Sequence, residues 1–107
     1  MLHNSEIVDN IIEEIHEMQD WITISAALGA NEINSNFASR DDILSIVNAA
    51  LSDSRVYIGT IETGTPNNYL TPIPPETTPA SIVDDILKDP DEVIHSMMDY
   101  FIAESGM

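Results

Sequence analysis

Three histidines (His3, His16 and His95) and nineteen Asp and Glu residues are the side chains that could carry acid–base or metal chemistry in this chain, which has no cysteine. His16 stands three residues after Glu13 and four before Asp20, a spacing that gathers all three on one side of a helix. No cysteine and no second histidine falls nearby to complete a zinc set, so neither a metal nor another cofactor is expected. Asp41 with Asp42, Asp84 with Asp85, and Asp91 with Glu92 are paired carboxylates only in sequence. Adjacent residues on a helix point about 100° apart, so such pairs do not converge on one substrate. Compensation of helix N-termini explains the first and third better.

The spacing of an EF-hand loop is missing. The four glycines form neither a phosphate-binding loop nor a nucleophile elbow. No enzyme is expected from these residues, and a small enzyme with a site assembled only in space is the remote third reading.

The acids are better understood together. Against nineteen Asp and Glu there are three Lys and Arg, a net charge of −16 over 107 residues. Solubility of a small domain needs a magnitude of only about 2–8. Residues 1–39 hold seven acids and no Lys or Arg, residues 40–75 hold four acids with Arg40 and Arg55, and residues 76–107 hold eight acids with Lys88. Both ends are strongly negative and the middle nearly neutral. Within the first segment Glu6, Asp9, Glu13, Glu17 and Asp20 recur at three and four residues, one stripe on a helix. Like charges at that spacing cost an isolated helix roughly 0.2–0.5 kcal/mol per pair, and no lysine relieves them. Three scattered cations make no basic patch, so direct binding to nucleic acid is not expected.

These carboxylates must be positioned by a fold, and the apolar pattern gives its outline. Val8, Ile11, Ile12, Ile15, Met18 and Ile22 recur at helical spacing and predict an amphipathic helix over residues 5 to about 28, with Ser5 as cap and Gly29 as stop. The run from Trp21 to Ser25 also alternates like a strand, which would end that helix near Asp20. Ser39 followed by Asp42 predicts a capping box, with Ile43, Ile46, Val47, Ala50 and Leu51 on the apolar face behind it. Residues 55–63 are rich in Val, Tyr, Ile and Thr and read as a strand. Residues 64–68 read as a turn, and residues 69–73 as a return strand that Pro72 confines to an edge. Thr78 before Pro79 predicts another helix start, with Ile82, Val83, Ile86 and Leu87 facing inward. Asp89, Pro90 and Glu92 repeat that signal for a last helix over residues 90 to about 104, with Gly106 beyond it.

The expectation is one α+β domain over residues 1–107, in the order ααββαα, with one hairpin packed on helices. No apolar stretch approaches the ~18–20 residues needed to span a bilayer, and the acidic start does not read as a signal peptide. A cytoplasmic protein is expected, in the host cytoplasm if the source is viral.

In size and charge the chain resembles the small acidic phage-encoded inhibitors of restriction, CRISPR and other DNA-handling enzymes. That resemblance implies an anti-defence decoy that mimics nucleic acid and occupies the basic site of a DNA- or RNA-handling protein. DNA carries one phosphate per 3.4 Å of each strand, which its binders neutralise with Lys and Arg, and a rigid carboxylate row is a surrogate for that ladder. The partner residues are then Glu6, Asp9, Glu13, Glu17 and Asp20. The alternative is a structural or adaptor protein acting through an apolar oligomeric interface. Apolar residues on the last helix exceed one packing stripe, which leaves Met98, Tyr100 and Ile102 either to form a homodimer or to be buried on a second side within the same domain.

Overall fold

The helical spacing near the start does produce a helix, over a shorter span than expected. The computed structural model describes residues 3–65 and 67–105, so Pro66 of the expected turn and the stop at Gly106 lie outside the described residues. Helix α1 runs Asn4–Met18 and buries Ile7, Val8, Ile11 and Ile15. His3 rather than Ser5 holds the N-cap, and Met18 is 61% exposed.

Gln19 ends α1. Its φ of 57° is left-handed, and its N–H donates to the Ile15 carbonyl. This reversal corrects the expectation of one helix to residue 28, because it turns the chain so that Ile22–Thr23 becomes a short strand, β1. Thr23 then caps a second helix, α2 (Ile24–Ala30), its hydroxyl accepting from the Ala26 N–H at 3.1 Å. Gly29 lies inside α2 rather than stopping it. A 3-10 turn, Ser35–Phe37, leads on to α3.

Helix α3 (Arg40–Ser52) starts at the expected capping box. The Ser39 hydroxyl accepts from the Asp42 N–H at 3.1 Å, and the Asp42 carboxylate accepts from the Ser39 N–H at 2.9 Å. Its buried face carries Ile43, Ile46, Val47, Ala49 and Ala50. Strands β2 (Val56–Glu62) and β3 (Tyr69–Pro72) pair antiparallel as a hairpin. Helix α4 (Pro79–Leu87) begins with Thr78 as cap and proline in its first turn, and buries Ile82, Val83 and Ile86.

The last segment differs most from expectation. Helix α5 covers only Val93–Met97, and residues Phe101–Glu104 form a strand, β4. Asp89 makes a local turn, accepting from the Asp91 N–H at 3.1 Å, instead of capping a long helix. The sheet supplies the reason. Its order is β1-β4-β2-β3 with every pair antiparallel, so β4 fills the gap between β1 and the hairpin. Ile102 stands opposite both Ile22 and Ile58, and all three are at most 4% exposed. A helix there would forfeit this row and leave the inner edge of β2 unpaired. The α+β class holds, with the hairpin enlarged to a four-stranded sheet and β3 with Pro72 at an edge, where its missing donor costs no ladder bond.

Ile22, Val56, Ile58 and Ile102 point to one face of the sheet and join the apolar faces of α1 to α4 in one core. The radius of gyration, 13.0 Å, matches the ~13 Å of a single 100-residue domain. None of the described helices is long and apolar enough to cross a membrane.

Candidate functional site

No polar or charged residue among those described is buried, so all nineteen carboxylates reach solvent. The three cations are each held by acids. Arg40 bonds Asp84 at 2.7 Å and ties α3 to α4. Lys88 bonds Asp85 at 3.0 Å within the α4 end. Arg55, just before β2, reaches Asp9 of α1 at 2.6 Å and Asp53 at 2.8 Å, and donates to the Ser5 carbonyl. Hydrogen bonds from Arg55 hold the Asp53 carboxyl below its ordinary range, and Asp53 and Asp9 hold the guanidinium above its own.

The α1 stripe is therefore interrupted. Glu6, Asp9, Glu13 and Glu17 are exposed on one side of the helix, but Asp9 is committed to Arg55. Asp20 lies past the end of α1, where its carboxylate accepts from the Trp21 N–H at 2.8 Å. Glu6, Glu13 and Glu17 have no cationic partner among the described residues.

A second feature lies on the sheet face opposite the core. Strand alternation sends Thr23, Tyr57, Leu70, Phe101 and Ala103 there, each half-buried, with Ile61 more exposed. The Trp21 ring joins them, 5.9 Å from Phe101 and tilted by 47°. Gly59 admits Leu70 onto this face, since a Cβ at position 59 would lie 2.9 Å from Leu70 Cγ and 2.6 Å from the Thr71 carbonyl oxygen. Between this face and the end of α1 opens a groove of about 590 Å³. Ile15, Trp21, Tyr57, Leu70 and Ala103 give it an apolar wall, while His16, Gln19, Asp20 and Glu104 give it polar atoms. His16 Nε2 is 2.8 Å from Glu104 Oε1, so this contact joins α1 to β4.

His16 thus faces Glu104 from another element. No group of three His, Asp or Glu side chains able to hold a metal occurs among the described residues. The residues assigned to an oligomer interface separate. Met98 is 52% exposed, Ile102 is fully buried in the sheet, and Tyr100 is half-buried with its hydroxyl donating to Asp85 at 2.6 Å. Burial and the Asp85 carboxylate raise the Tyr100 pKa, while hydrogen bonds from Tyr100 and Lys88 lower that of Asp85. Of the three, only Ile102 lies in β4, and it has no surface to offer a second copy.

The sequence pattern alone does not reveal the groove, because it reads both Trp21 and Phe101 as helical. The signal was the alternation at Trp21 to Ser25, which as a strand puts Trp21 opposite Ile22. Comparison with protein families, with curated proteins and with solved structures gives no match.

Proposed function

We propose that the protein is a cytoplasmic binding module, and not an enzyme, that presents carboxylates to the basic nucleic-acid site of another protein and so acts as a decoy or inhibitor. The observation carrying this reading is that all three cations are consumed in intramolecular ion pairs, while Glu6, Glu13 and Glu17 stand uncompensated along α1. From Glu6 to Glu17 the helix rises about 16 Å. One DNA strand places about five phosphates in that length, so three carboxylates reproduce the sign and direction of the ladder at lower density. Acids elsewhere on the surface supply the rest of the field, which speeds encounter with a basic groove and makes it salt-sensitive.

Reversal of Glu13 and Glu17 to Lys tests this on a complex recovered from host lysate at low salt. Two lost attractions and two new repulsions weaken it on the order of tenfold or more, taking exposed pairs at up to ~1 kcal/mol each. Nucleic acid should compete for the same partner. Unchanged affinity in the double reversal removes α1 from the mechanism. A second reading, an adaptor or homodimer associating through apolar surface, draws on the half-exposed sheet face. Light scattering across concentration and salt separates them, because repulsion between two −16 chains makes dimerisation strengthen with salt. A monomer throughout discards the dimer.

A further inference from the structure

We propose that the groove between α1 and the open sheet face receives an arginine side chain, together with the apolar residue beside it, from a basic partner protein. The inference rests on the partner being basic and names the contact that would anchor it. At about 590 Å³ the groove falls within the ~300–1,000 Å³ of pockets that hold specific ligands. Its chemistry is divided. Trp21 and Tyr57 offer aromatic rings, Leu70 and Ala103 offer apolar surface, and Asp20 and Glu104 bring carboxylates to the rim.

Each of those carboxylates has one oxygen engaged, Asp20 Oδ1 by the Trp21 N–H and Glu104 Oε1 by His16. The second oxygen of each has no hydrogen-bond partner among the described residues. An arginine meets all three demands. Its stem covers apolar wall, its plane stacks on aromatic rings, and its N–H fork satisfies carboxylate oxygens. A lysine offers only a point charge to the same surroundings.

Charge decides between occupants. A second copy of this chain has no uncommitted Lys or Arg to bring, since all three are ion-paired, and it carries −16 of its own. Nucleic acid is repelled for the same reason. A cationic protein segment is attracted, and Asp20 lines the groove just beyond the end of α1. A partner whose cations lie along α1 is thereby guided to insert one of them.

Trp21 is the only tryptophan and lines the groove, so its fluorescence reports on the site without any partner being known. The probe is N-acetyl-leucyl-arginine amide, and the control is the same peptide with citrulline, which keeps the shape and removes the charge. The arginine peptide should shift Trp21 emission saturably, with affinity near the millimolar level expected of so small a ligand. Citrulline, Glu104→Gln and Tyr57→Leu should each weaken binding at least about fivefold. Equal urea midpoints for wild type and Glu104→Gln confirm that the fold is unchanged, because the amide oxygen can keep the His16 contact.

Absence of saturation at ~50 mM peptide, roughly fifty times the expected millimolar level, overturns the proposal. Equal binding of both peptides overturns it too, leaving an apolar site only. Trp21 emission that depends on protein concentration without peptide assigns the face to a second copy, which also overturns it. The carboxylate-decoy reading fails separately. Loss of that reading is an intact partner complex in the α1 double reversal, whereas loss of this one is a silent peptide titration.

Discussion

Replacing Ile102 by Ala probes the element on which sequence expectation and structure differ most. In the structure Ile102 is fully buried on the inner strand β4, opposite Ile22 and Ile58. The substitution removes three carbons, worth roughly 2.4 kcal/mol in transfer alone at about 0.8 kcal/mol each. A cavity between two fixed strands adds to that, and measured Ile→Ala changes in cores span about 2–5 kcal/mol. A domain of this size has on the order of 5–15 kcal/mol in total, so the variant stays folded with a much reduced margin. At roughly 4 °C or more per kcal/mol, Tm should fall by about 10 °C or more. The assay is urea unfolding followed by Trp21 fluorescence and by circular dichroism, at two protein concentrations. Met98→Ala is the control, because that side chain is 52% exposed and its loss should cost within about 0.5 kcal/mol. A loss below about 1 kcal/mol for Ile102→Ala would be that of an ordinary surface site and would refute the placement of β4. A midpoint that moves with protein concentration would do the same by making Ile102 an interface residue.

Three further outcomes follow from named contacts. Ser39→Ala removes half of the capping box and should cost about 1 kcal/mol in urea unfolding; an unchanged midpoint means the box does not hold α3. Gly59→Ala drives a Cβ to 2.6 Å from the Thr71 carbonyl oxygen, and an overpacked site of this kind costs about 1–3 kcal/mol, with amide exchange rising first along β3. Tyr100→Phe removes the hydrogen bond that does most to lower the Asp85 pKa. A lowered carboxyl contributes stability above its ordinary pKa of about 3.9 and loses it as pH falls through the folded value. The variant should therefore be less stable at pH 7, with the gap to wild type closing below about pH 4; a gap constant with pH contradicts the Asp85 assignment.

The elements legible in the sequence are those specified by their own neighbours. Ser39 and Asp42 close a box within four residues, Thr78 and Pro79 pre-form a helix start, and Pro72 declares its edge. The errors fall where a short apolar run is equally compatible with helix and strand. Ile22–Thr23 and Phe101–Glu104 are strands because each completes the other's hydrogen bonding, and neither reads clearly alone. The groove was hidden for the same reason, since the faces of Trp21 and Phe101 are defined only once both segments pair. The α1 stripe was legible as far as Glu17. Its breach at Asp9 depends on Arg55, far along the chain and on another element.

Placing an inner strand last in sequence shapes how the molecule reaches its fold. β2 and β3 are separated in sequence by residues 63–68 only and can meet within microseconds. The other side of β2, and the pairing of β1, wait for residues 101–104. Closing so long a loop adds little free energy, about 0.6 kcal/mol per doubling, but distant pairing slows folding. The late contact is wide, since His16 and Glu104 meet across 88 positions. Until β4 docks, the backbone groups on that side of β2 have no strand partner, a template on which another chain could pair. Charge repulsion between unfinished chains of −16 opposes that encounter. The acidity that opposes compaction in the finished molecule would thus also oppose association of any chain whose β4 has not yet docked.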